Sequence, residues 1–157
     1  MKFLRTLMVA VVAMLATVRT PAQRCPGSCS QTFSGLGGTT ICGTVVVIDN
    51  GNRAGSCTPP PGCLPDRNCT FDFQVIVVTA AGCCLNYKLT ICEVDTKGAV
   101  KGPCATTPTA CVGSNVQDFV GYPVRCGRQE SFEYRDPVTG VRTGFAVLTC
   151  VACEDDT

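Results

Sequence analysis

Cys69–Thr79, the stretch CTFDFQVIVVT, decides the fold class. Phe71, Phe73, Val75 and Val77 fall on one side of an extended chain, and Thr70, Asp72 and Gln74 on the other. A repeat of two is the imprint of a strand with one buried face, whereas a helix repeats every 3.6 residues or so. A strand of this kind needs a second layer against its apolar side, which points to packed antiparallel sheets.

The neighbouring segments carry the same imprint. Downstream, Leu85–Val94 sets Leu85, Tyr87, Leu89 and Ile91 against Asn86, Lys88 and Thr90. Upstream, Thr40–Asp49 (TICGTVVVID) is β-branched and runs into Asp49-Asn-Gly-Asn52, a turn signal that predicts a hairpin. Ser131–Arg135 and Val141–Cys150 flank Asp136-Pro-Val-Thr-Gly140, which predicts another. Helical patterning is weak throughout. The expectation is an all-β chain: a single disulfide-rich antiparallel β-sandwich or small barrel with long Pro/Gly loops. Thr58–Asn68 and Lys97–Gly113 are expected to be ordered loops, and Gly35-Leu-Gly-Gly-Thr39 a flexible connection. Thr40-Ile-Cys42 followed by Cys57 is echoed by Thr90-Ile-Cys92 followed by Cys104, read here as convergent hairpin grammar.

The start of the chain indicates a compartment. Lys2 and Arg5 precede an apolar run from Leu7 to Val18, and Thr20-Pro-Ala22 supplies small residues beyond it. That order is the pattern of a secretory signal peptide, so residues 1–22 are expected to be removed and 23–157 to form one domain. The run is about 12 residues, too short for the roughly 20 a membrane helix requires, and no membrane insertion of the mature chain is expected. Of 157 residues, 135 remain after the leader. Losing Lys2, Arg5 and Arg19 takes the basic count from 13 to 10 against 12 acidic residues, a balance of −2. Such a surface lacks the basic footprint of a nucleic-acid binder, and no nucleic acid is expected as a partner.

Cys25, Cys29, Cys42, Cys57, Cys63, Cys69, Cys83, Cys84, Cys92, Cys104, Cys111, Cys126, Cys150 and Cys153 all lie beyond the leader. An even set behind a signal peptide is expected to pair completely, although fourteen cysteines can pair in on the order of a hundred thousand ways. The adjacent Cys83 and Cys84 are expected to reach two different partners, because neighbouring strand residues point to opposite faces. Cys150-Val-Ala-Cys153 is a lone C-x-x-C in a chain without histidine, too little for a zinc or redox site. No metal and no cofactor are expected. Cys25-Pro-Gly-Ser-Cys29 resembles the C-x-G-x-C element of cystine-knot growth factors over five residues; the knot's upstream cysteine has no counterpart after the leader, so none of that family's functions transfers.

Without histidine the commonest general base is missing. A histidine-free hydrolase would need two converging carboxylates, and Asp72, Glu93, Glu130 and Glu133 are the candidates. Glu130 and Glu133, three apart on a strand, should face opposite sides, and all four read best as solvated charges. The Gly-rich stretch has no phosphate-loop lysine, and the Asp49–Asn52 turn lacks the acidic spacing of a calcium loop. The proline-stiffened segment Thr58–Asn68 is the candidate binding loop, with Leu64 or Arg67 filling a partner's pocket. Asn68-Cys-Thr70 is a glycosylation sequon. The expected function is extracellular binding, or a surface or matrix role, by a non-enzymatic secreted protein with an extracellular partner. The alternative is a protease inhibitor or defence protein acting through that loop.

Overall fold

The computed structural model describes residues 29–51 and 68–152, together with the backbone placement of 24–25 and 64–65. The latter two form short parallel strands, β1 (Arg24–Cys25) and β5 (Leu64–Pro65). The rest is built from β2 (Cys29–Leu36), β3 (Gly38–Thr40), β4 (Gly43–Asp49), β6 (Asn68–Thr79), β7 (Leu85–Val94), β8 (Val100–Thr106), β9 (Ala110–Val112), β10 (Asn115–Arg125), β11 (Arg128–Arg135) and β12 (Arg142–Ala152). No helix occurs among the described residues.

Two antiparallel sheets pack face to face, and they do not close into a barrel. One has four strands in the order β10-β6-β4-β3; the other has six, β2-β12-β11-β7-β8, with β9 extending the β8 edge along β7. The alternation in CTFDFQVIVVT is realised: Phe71, Phe73, Val75 and Val77 are buried, and Thr70 is exposed. Phe73 stands at the centre of the core. Its ring stacks on Phe119 at 4.4 Å and meets Phe132 of the facing sheet edge-on at 5.7 Å. Leu148, Ala146 and Cys150 line the same interior from β12. The 136–140 hairpin forms as expected, joining β11 to β12.

Five bridges staple the described residues: Cys29–Cys126, Cys42–Cys83, Cys69–Cys150, Cys84–Cys111 and Cys92–Cys104. Cys83 and Cys84 do take separate partners, from a turn just before β7 rather than from within a strand. Cys69–Cys150 crosses between the sheets, whereas Cys92–Cys104 closes a loop of only 12 residues. Cys42 bonds to Cys83, so the two echoed segments are not equivalent in the fold. Cys25, Cys57, Cys63 and Cys153, and the leader, lie outside the residues whose side chains are described.

Several sequence expectations are corrected. Thr40–Asp49 is not one strand: the chain turns at Ile41-Cys42 and pairs β3 with β4, Thr39 opposite Thr44. The turn is held from outside, by Asp136 Oδ2 accepting the Cys42 N–H at 2.7 Å and by the Cys42–Cys83 bridge. Gly35–Thr39 is not a flexible connection but the corner where β2 of the larger sheet becomes β3 of the smaller one. A Cβ on Gly37 would lie 2.1 Å from the Val45 carbonyl oxygen, so the crossing is open to glycine alone. Asp49 does not lead into a tight hairpin, because β4 pairs instead with β6; Gly51 N–H donates to Asp49 Oδ1 in a local Asx turn. Lys97–Gly113 is mostly strand, the edge pieces β8 and β9, although Cys104 and Cys111 pin it as expected. Cys92 and Val94, on the side read as polar, are buried, since the Cys92–Cys104 bridge and the turn at Gly98 cover the outer side of the larger sheet near Thr149 and Val151.

Candidate functional site

The two sheets differ in width, and the difference creates the site. At one side β2 runs directly into β3, so the edges are stitched together. At the other, β10 lies over β11 and β12, and the larger sheet continues past it as β7 and β8. The inward-facing residues of these two strands therefore lack a full second layer. Tyr87, Leu89 and Ile91 are only half-buried, while Leu85, at the covered end of β7, is fully buried.

Cross-strand register fixes what shares this overhanging face. Ile91 lies opposite Glu130 on β11 and Ala105 on β8; Leu89 lies opposite Phe132, and Tyr87 opposite Tyr134. Residues directly opposite on paired strands present side chains to the same face. One row further on, Glu93 sits between Arg128 and Lys101. The result is an apolar and aromatic floor ending in a positive–negative–positive row. Ile91, Glu93, Lys101, Pro103, Ala105 and Arg128 line a shallow open groove of about 500 Å3 there. Among the described residues none of Glu93, Lys101 and Arg128 has an ion-pair or side-chain hydrogen-bond partner.

Glu130 stands where this floor meets the wall formed by β10. Contrary to the expectation of a solvated charge, it is 7% exposed. The reason is its register: it alternates with Phe132 and Tyr134, which are core residues, so it must face inward. The Tyr122 hydroxyl donates to its Oε1 at 2.8 Å. Its Oε2 has no partner among the described residues and is not sealed from solvent. The Tyr122 ring packs 5.7 Å from Phe132 and 5.4 Å from Phe119, closing the wall. Burial and the Glu130 carboxylate hold the Tyr122 hydroxyl protonated far above the usual tyrosine range, and the same two causes raise Tyr87.

Glu133 and Asp72 do not converge on Glu130. Glu133 points to the opposite face of β11, as expected, and accepts Arg135 Nε at 2.6 Å, which draws it below the usual glutamate range. Asp72 is on the outer face of the smaller sheet and accepts the Gly121 N–H at 2.7 Å. Glu93, one row along from Glu130 on the shared face, is the one other carboxylate of the four on that side. The Sγ atoms of Cys29, Cys126 and Cys150 lie within 4.8 Å of one another, but all three belong to bridges and offer no thiolate to a metal.

Of the binding-loop residues read from sequence, Arg67 lies outside the described residues, and Leu64 is placed only as backbone in β5. Asn68, the sequon residue, opens β6 and is exposed. Compared with protein-family models, curated proteins and solved structures, the chain matches none.

Proposed function

We propose that the protein is exported by a leader cleaved near Ala22 and acts outside the cell as a non-enzymatic binding module. Its ligand-contacting surface is the overhanging inner face of β7, β8 and β11. The observation that carries this reading is the combination on one face of half-buried Tyr87, Leu89 and Ile91 with the charges of Glu93, Lys101 and Arg128, which form no close ion pair among the described residues. Aromatic and apolar area bordered by placed charges is the usual make-up of a recognition site. Five bridges keep that surface preorganised, which lowers the entropy cost of binding. The lack of histidine supports binding over catalysis.

Selection of a random octapeptide library against the immobilised, fully oxidised protein tests the reading. Enriched peptides should lose binding when Ile91→Lys is introduced and keep it when exposed Val138→Lys, on a distant turn, is introduced. Binders indifferent to Ile91→Lys, or no enrichment at all, rule out this face. Export is checked separately, by the amino-terminal residue and intact mass of protein recovered from the medium.

A further inference from the structure

We propose that Glu130 is the receptor carboxylate for an alkylammonium group, carried by a lysine side chain or a small amine, which reaches it from the groove beside Ile91 and Arg128. This rests on the binding role of the overhanging face and names what its inner end recognises. A carboxylate 7% exposed is normally matched by a cation or by several hydrogen bonds. Here the only hydrogen bond is from the Tyr122 hydroxyl to Oε1, and no cationic side chain of the described residues reaches within 4.0 Å. The second oxygen is left to a donor from outside.

The surroundings select the type of donor. The half-buried rings of Tyr122 and Tyr87 flank the buried ring of Phe132, at 5.7 Å and 6.4 Å from it, and give Glu130 an aromatic side. Aromatic faces attract alkylammonium ions and accept their methylenes. Ile91, opposite Glu130, supplies an apolar rest for the alkyl chain. An anion is disfavoured by the carboxylate, and a neutral apolar ligand would leave the second oxygen without a partner. Arg128, two residues before Glu130 on the same face, has its backbone about 7 Å away along the strand and forms no ion pair with it within 4.0 Å. Its charge therefore opposes an entering cation without itself neutralising Glu130.

The test titrates n-butylammonium chloride, and in a second arm a lysine-centred glycine pentapeptide beside its norleucine counterpart, into the oxidised protein followed by NMR. Shifts should centre on Glu130, Tyr122, Tyr87 and Ile91, and norleucine should give none. Tighter binding of the peptide assigns the source to a protein partner; equal or tighter binding of butylammonium assigns it to a small amine. Glu130→Gln, which still accepts the Tyr122 hydroxyl, should weaken binding about tenfold or more. Arg128→Ala should tighten it about threefold by removing a partly screened like charge. Shifts elsewhere, or affinity unchanged in Glu130→Gln, overturn the assignment. If Glu130→Gln does not fold, Arg128→Ala decides: tighter binding supports the site, and unchanged or weaker binding overturns it. Inert ammonium probes alongside peptides that still depend on Ile91 remove this inference alone; failure of both removes the binding face as well.

Discussion

Asp136 accepts the backbone N–H of Cys42 across 94 residues of sequence, at 2.7 Å. The same carboxylate takes the N–H groups of Val138 and Thr139 with its other oxygen, so one buried side chain shapes the β11–β12 turn and anchors the β3–β4 turn. These donors, Cys42 foremost, pull its carboxyl down to about 2 from an ordinary 3.8. A depressed carboxyl stabilises the fold above its unfolded value and loses that contribution as pH falls through the folded one. The melting temperature should therefore drop between about pH 4 and pH 2. Asp136→Asn should melt lower at neutral pH and flatten that drop, as read by circular dichroism.

Phe73→Ala should be among the most damaging core substitutions. The ring is fully buried and touches Phe33, Phe119, Tyr122 and Phe132. Removing it should cost about 3–5 kcal/mol, measured by denaturant unfolding with the bridges intact.

Gly37→Ala tests the corner between the sheets. The added methyl meets backbone oxygen rather than a movable side chain, so the crossing must shift. A loss of about 1–3 kcal/mol is expected, with the larger figure if β3 detaches from β4. Gly113→Ala, where a methyl meets nothing within 4 Å, is the matched control and should be near neutral.

Mild reduction should produce a specific rearrangement. Glutathione attacks Cys126, the more accessible sulfur of its bridge, forming a mixed disulfide there and leaving Cys29 as the thiolate, within 4.8 Å of Cys150 Sγ. Attack there forms a bridge to Cys150 and releases Cys69 as the new thiolate. Alkylation after limited treatment with glutathione should label buried Cys69, with Cys126 carrying glutathione. Label on Cys29 and none on Cys69 would show that the neighbouring bridges do not exchange.

At high pH the tyrosines set the limit. Burial raises Tyr134, Tyr122 and Tyr87 above the ordinary 10.0. Folding keeps these phenols protonated where the unfolded chain would release them, so stability is full below about pH 10 and falls as pH rises beyond it. Tyrosinate absorbance should rise together with loss of sheet signal, not before it.

The strands that could be read in the sequence are those buried on one face. β6, β7 and the β11–β12 hairpin carry a period of two because one side of each meets the core. β8 and most of β10 are exposed on both faces, so burial leaves no alternation in them to read. β2 and β3 were hidden by glycines that serve the sheet-to-sheet corner. Glu130 was legible after all: its alternation with Phe132 and Tyr134 places it inward, and only the general solubility of carboxylates argued otherwise. Its partner Tyr122 was not, because β10 slips register between Phe119 and Tyr122. The overhang itself follows from strand order, which long-range pairing decides.

The Cys29–Cys126 bridge has a mechanical consequence. Between Cys29 and Cys150 the peptide path is 150 − 29 = 121 residues, but through the bridge it is 150 − 126 = 24. A tensile load across those two points would meet a tether of about 80 Å instead of about 400 Å, at roughly 3.4 Å per extended residue. The protein would behave under load as a short, nearly inextensible link, holding most of its sheets out of the line of force.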